Sequence, residues 1–172
     1  LVLDQAEQTL VVEGLPVAEP PPALSLFRQF SAPVHWQAHQ GDDALFTLFA
    51  HDDDAFARWD AGQQLWRRLL LARANGSGDA ALEQRMVTAL SVLLGPDGES
   101  DPAVLATLLG FPGAAELEGL QAEADPPALY RAACALRSAL GTALAPLLQR
   151  RLAEAASGLA RPWPEGQGER QL

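Results

Sequence analysis

Five residues, His35-Trp36-Gln37-Ala38-His39, carry the histidine spacing of the zinc-peptidase motif H-E-x-x-H. In that motif two imidazoles hold the metal and the glutamate serves as general base. Here Trp36 stands where the glutamate belongs. The motif also needs a helix, on which positions i and i+4 stack. Residues 31–39 alternate instead, with Val34, Trp36 and Ala38 on one side and His35, Gln37 and His39 on the other. On such a strand the two imidazoles lie ~13 Å apart, whereas each zinc ligand sits ~2 Å from its metal. Solvent-facing strand histidines are therefore the expectation.

The other reactive residue types also read as structure. His51-Asp52-Asp53-Asp54 has metal-binding chemistry, but acids at a helix start are favoured by capping and by the helix dipole, and capping is the preferred reading. Cys134, within Ala-Ala-Cys-Ala-Leu, is expected to be a buried, inert thiol. Trp59 and Trp66 are seven apart on a helical pattern and read as core, with a ligand-stacking role as the alternative. Asn75-Gly76-Ser77 has the form of a glycosylation sequon and reads as a turn. Arg67-Arg68 and Arg150-Arg151 read as isolated pairs on helix faces. There is no Gly-rich phosphate loop, no G-x-S-x-G and no Cys-x-x-Cys. These residues assemble no catalytic constellation, so no catalytic, cofactor-binding or metal-ligating position is assigned.

The elements that would position them follow from composition. The chain has 172 residues, 12 basic against 22 acidic, and a net charge of -10. That balance leaves no basic stripe for nucleic acid. No apolar run approaches the ~18 residues of a membrane span. One cysteine excludes a disulfide framework and fits a reducing compartment, read as the cytoplasm. The opening LVLDQAEQT lacks both a starting Met and the order of a signal peptide, so the chain is expected to be a piece of something longer. Alanine and leucine supply 32 and 30 residues and isoleucine is absent, which favours helix over sheet.

The front is the exception. Residues 8–13, QTLVVE, suit a strand, as do residues 31–39. Between them Pro16, Pro20, Pro21 and Pro22 impose an extended connector. Two strands alone have unpaired edges, and the Val34 and Trp36 faces predict self-association when the chain is isolated. After Gly41 the period changes. A short helix capped by Asp42 carries Leu45, Leu48 and Phe49. A second starts within 52–54, with Phe56, Trp59, Gly62, Trp66, Leu69 and Leu70 inward and Arg58, Asp60, Gln64, Arg67 and Arg68 outward. The third spans about 79–94 with Leu82, Met86, Leu90, Leu93 and Leu94. Asp101-Pro102 and Asp125-Pro126 mark two further helix starts. The last helix runs from Pro126 toward Ser157 along Leu129, Ala133, Leu136, Leu140, Leu144, Leu147 and Leu152, with Pro146 kinking or breaking it. Residues 158–168 read as a loop and the final ERQL as the start of another helix. The fold class is mostly α: antiparallel, solenoid-like helices behind a short remnant of a β-sandwich. The division is residues 1–40 for the strands and 41–172 for the first part of a helical domain.

Three segments, Leu1–Val12, Phe30–Val34 (FSAPV) and Asp54–Leu65 (DAFARWDAGQQL), resemble the bacterial aminopeptidase N family of gluzincin zinc aminopeptidases in order and spacing. Leu10 and Val12 stand where the family has aromatics, and the Pro/Gly-rich PWPEGQG departs from its pattern. The resemblance implies a parent enzyme that removes N-terminal residues from peptides with Zn2+ held in a separate catalytic domain. Neither its zinc motif nor its exopeptidase motif occurs here. The implied role is architectural: the segment packs on the catalytic domain of the same polypeptide and helps enclose the chamber that peptide substrates enter. The competing reading is a free-standing helical-repeat interaction module. That reading predicts a fixed internal period, and none is found.

Overall fold

A computed structural model describes residues 7–9, 11–14, 21–31 and 39–156. After a short 3-10 turn at Arg28–Phe30 come seven helices: α1 (Asp42–His51), α2 (Ala55–Ala74), α3 (Ala80–Leu93), α4 (Pro102–Leu109), α5 (Ala114–Gly119), α6 (Pro126–Ala143) and α7 (Ala145–Ala156). The helical reading of the chain therefore holds. Helix starts are fixed by side chains. Asp54, Asp79, Asp101 and Asp125 each accept a backbone N–H from the first turn of α2, α3, α4 and α6, and such a cap contributes about 1 kcal/mol. The α2 end is closed by Gly76 at φ 72, with Gly76 N–H on Arg73 O and Ser77 N–H on Ala72 O. This is the left-handed C-terminal closure that glycine favours, so the Asn75-Gly76-Ser77 turn is as expected.

Several expectations change. The cap of α1 is Gly41, without a side-chain bond, and Asp42 is the first helical residue. Asp42 instead pairs with Arg68 across the antiparallel α1–α2 hairpin. The break expected at Pro146 is, by contrast, present: α6 ends at Ala143 with Leu144 as its C-cap and α7 begins at Ala145. Leu152 of the predicted stripe is 57% exposed. Helix α5 has six residues and no side-chain cap, which is too short for a periodic signal. At the front, residues 8, 9 and 11–13 form no strand, and Val11 and Val12 are exposed at 75% and 59%. Among the described residues no neighbouring strand supplies the ladder hydrogen bonds that a strand requires. Of the second predicted strand, residues 31–39, positions 32–38 lie outside the described residues, and with them His35, Val34 and Trp36. The readings of 158–168 and of ERQL also lie outside them.

The body is built around α2, which packs against α1, α4, α6 and the 3-10 turn. Its Ala61, Gly62, Leu65, Trp66, Leu69 and Leu70 are buried, joined by Leu45 and Phe49 of α1, Met86, Leu90 and Leu93 of α3, Leu105 and Leu108 of α4, and Leu136 of α6. The expected outward face is therefore not solvent-facing: Arg58, Asp60, Gln64, Arg67 and Arg68 are all half-buried, since α2 has neighbours on most sides.

Gly62 sets how close α1 and α2 approach. A Cβ there would lie 2.8 Å from the Phe49 ring, and Phe49 is fully buried. Ordinarily Gly→Ala inside a helix gains up to ~1 kcal/mol. Here overpacking dominates, and Gly62→Ala is expected to lower the unfolding free energy by about 1–3 kcal/mol in a denaturant titration. A more stable variant would show that the two helices can separate freely.

Candidate functional site

The residues singled out for chemistry do not converge. His39 is exposed. Asp52, Asp53 and Asp54 act structurally: Asp54 caps α2, and Asp52 and Asp53 both receive Arg28. Arg28 holds the Asp53 carboxyl below its usual range, first through the hydrogen bond and then through charge, and Asp53 in turn raises Arg28. Among the described residues no group of three or more His, Cys, Asp and Glu is placed to hold a metal ion, so the donor set for zinc does not fit there. Cys134 is exposed on α6 rather than buried. The stripe of α6 that faces the core passes through Leu129, Ala132, Leu136 and Leu140, leaving position 134 on the other side. Tyr130, 72% exposed one turn earlier, is hydrogen-bonded to Cys134, which pushes its hydroxyl above the ordinary phenol value.

The two tryptophans part company. Trp66 is fully buried, donates its indole N–H to Leu108 O at 3.2 Å and stacks obliquely on Phe111 at 4.9 Å. Trp59 is half-buried, 5.7 Å from the Phe56 ring. With Ala55, Ala103, Val104, Thr107 and Leu108 these two aromatics line an apolar groove of about 560 Å3 between α2 and α4. A second groove of about 470 Å3 runs between α1 and α3, with Phe46 and Arg85 at one end and His51 and Val92 at the other. Arg85 lies over the Phe46 ring at 4.4 Å and pairs with Asp43 at 2.6 Å. Neither groove gathers a nucleophile, base and oxyanion donor.

The arginine pairs are engaged rather than isolated. Arg67 pairs with Glu116 of α5, and Arg68 with Asp42 and the Gln40 carbonyl. Arg150 donates to Leu94 O and Arg151 to Glu99 O, tying α7 to the loop after α3. Arg58 closes the same loop through Glu99, with both side chains only 13% exposed. Sequence reasoning missed these ties and also Gln63, which is 4% exposed and donates to Gly110 O at 2.9 Å. A lone polar residue among outward-reading neighbours carries no signal that it faces a carbonyl 47 positions on.

A family model described as "Domain of unknown function (DUF3458_C) ARM repeats" matches residues 42–172. The chain belongs to this family. Members of the DUF3458_C family stack helical repeats, in keeping with the seven helices here. Two curated relatives extend the comparison. Aminopeptidase N of Caulobacter vibrioides is 39% identical over 150 residues, covering 87% of this chain. Aminopeptidase N of Escherichia coli K12 is 34% identical over 148 residues, covering 84%. The chain spans 17% of the length of each relative. The crystal structure of Legionella pneumophila aminopeptidase A in complex with aspartic acid superposes with a TM-score of 0.68 at 23% identity. It covers 86% of this chain and 18% of that one, and shows the shared fold. The matches support the resemblance read from the sequence, in which the chain is similar to a C-terminal stretch of aminopeptidase N. Among the described residues no helix is long and apolar enough to cross a membrane.

The burial difference between the tryptophans yields a ranking. Trp66→Ala is expected to cost about 3–5 kcal/mol, and Trp59→Ala less than half of that. Urea titrations of the two variants check it, and equal losses would contradict the assignment of Trp66 to the core and Trp59 to a groove wall.

Proposed function

We propose that the chain is a non-catalytic wall segment of a zinc-dependent aminopeptidase of the aminopeptidase N type, which removes N-terminal residues from peptides. The observation that carries the reading is the family match over residues 42–172 together with 39% and 34% identity to two aminopeptidase N proteins that extend well beyond the matched stretch. In this reading Zn2+ and every catalytic residue reside in another domain of the same polypeptide. The helical body packs on that domain and narrows the route by which peptides reach it. Residues 41–172 are the first part of the helical domain. Residues 1–40 come from the end of a small β-sandwich whose strand pairing requires a partner sheet, a reading supported by the exposure of Val11 and Val12. The free thiol of Cys134 suits a reducing compartment, and the cytoplasm is the proposed location.

The chemistry this segment supplies is steric and electrostatic. Helices cross-tied by Arg58–Glu99, Arg151–Glu99 and Arg67–Glu116 make a wall that resists opening. A net charge of -10 attracts the ammonium group of a peptide N-terminus over a Debye length. The family description of helical repeats also suits a free-standing interaction module, and the two readings differ in what the rest of the polypeptide does.

Two outcomes follow for the full polypeptide. Raising ionic strength from about 0.05 M to 0.5 M lowers kcat/KM for small peptides by roughly threefold, through screening of that field. Removing the helical body leaves zinc stoichiometry in place and raises the activity on long peptides relative to dipeptides. Unchanged size selectivity in a deletion that still binds zinc would refute the wall role.

A further inference from the structure

The segment before α1 is held at two separate places: to Gln40 just ahead of α1, and to the corner between α1 and α2 at residues 52–54. Leu24 donates its N–H to Gln40 Oε1 at 2.9 Å, and Gln40 Nε2 returns a bond to Leu24 O at 3.1 Å. Four residues on, the Arg28 guanidinium donates to Asp52 Oδ1 at 2.8 Å and to the Asp53 carboxylate, with Ser25 Oγ at 3.1 Å steadying it. The Asp54 carboxylate is shared: Oδ1 caps α2 through Ala57 N–H, and Oδ2 accepts the Gln29 N–H, both at 2.8 Å. Asp52 Oδ1 also takes the Asp54 N–H at 2.8 Å, which orients the corner. Arg28 thus meets a corner already shaped by the start of α2.

The strap adopts this path at a conformational cost. Phe27 and Gln29 lie in the left-handed region at φ 52 and 55, the only non-glycine residues to do so among those described. An L side chain adopts that region unwillingly, and it persists only where surrounding contacts hold it. The contacts here combine the Arg28 ion pairs with hydrogen bonds to Gln40, Ser25 and Asp54. The Arg28 side chain is 42% exposed and that of Asp53 87%, so this pair is open to screening, whereas Asp52 is 3% exposed. Other titratable or charged groups near the strap are His51 at the end of α1, Asp60 on α2 beside Leu24 and Ser25, and Arg58 on α2, the last engaged by Phe49 O and Glu99.

We propose that residues 24–31 form a latch that Arg28 closes on the α1–α2 corner, fixing the direction in which the preceding chain leaves the helical body and opening as one unit when Arg28 is lost. The inference rests on contacts within this chain and stands whether or not the parent is an aminopeptidase. Strain at positions 27 and 29 makes the closed form dependent on the ionic contacts. Ser25 Oγ, which accepts from Arg28, links the Leu24 end to the ionic contacts, so the pair of hydrogen bonds between Leu24 and Gln40 loosens with them.

Amide hydrogen exchange on the 172-residue chain tests it. In the unaltered chain the Leu24 and Gln29 amides are protected. In Arg28→Ala both exchange at least tenfold faster, while the thermal unfolding of the helices is unchanged. In Gln29→Gly, which relieves the left-handed strain, both exchange about threefold more slowly. Three results would each overturn the latch: unprotected amides in the unaltered chain, acceleration at Gln29 without acceleration at Leu24, or a fall in helical melting temperature in Arg28→Ala, which would make Arg28 a general stability residue. Faster exchange in Gln29→Gly would equally contradict the role assigned to strain.

Discussion

Helix α2 has almost no free side, and most of the structure follows from that. Its twenty residues must pack against α1, α4, α6 and the incoming 3-10 turn at once. One surface therefore needs a glycine, Gly62, to admit the Phe49 ring of α1. Another needs a large side chain with a polar edge, Trp66, to fill the space beside Phe111 and satisfy a carbonyl at the end of α4. A third needs Gln63 to satisfy Gly110 O. Buried polar groups of this kind contribute modestly when paired and cost ~1–3 kcal/mol when left unpaired, so α4 can approach only in the register that pairs both carbonyls.

Around that axis the periphery is tied by arginine. The chain has twelve basic residues and no lysine. Arginine's planar guanidinium donates in several directions, which lets one residue bridge two elements. Arg68 joins α2 to both Asp42 and Gln40 O, and Arg73 grips both oxygens of Glu83 at 2.8 and 2.7 Å. Pairs that remain partly open to solvent, as these do, contribute modestly each. The half-buried ties from Arg58 and Arg151 to Glu99 matter more, because they fasten α7 and α2 to one loop. That loop is also tight: a Cβ on Gly98 would fall 2.3 Å from Leu93 O. A body tied this way holds its shape through contacts between several elements.

Much of this was legible in the order of residues. Asp-Pro pairs announce α4 and α6 because a capping carboxylate and a residue without an N–H both fit the first turn. Leucine spacing announces α3 and α6. What was hidden has a common physical cause: the patterns report one face of one helix, and the hidden features depend on several elements meeting. Position 134 looked buried because alanines surround it in sequence, yet the α6 stripe turns it outward. Arg58 looked like solvent surface, and only the fold brings Glu99 to it. No fixed repeat period showed, because helices of 10, 20, 14, 8, 6, 18 and 12 residues stack without equal spacing. For a candidate site, residue spacing offered no constellation, and the functional reading came from the resemblance.

The central claim is that the reactive metal belongs to another part of a larger polypeptide. Metal analysis of the purified 172-residue chain, dialysed against zinc and assayed beside the full polypeptide for cleavage of aminoacyl anilides, addresses it most directly. The account predicts no stoichiometric zinc and no cleavage in the chain, and both in the full polypeptide. A tightly held zinc ion in the chain itself, or anilide cleavage by it, would contradict the account.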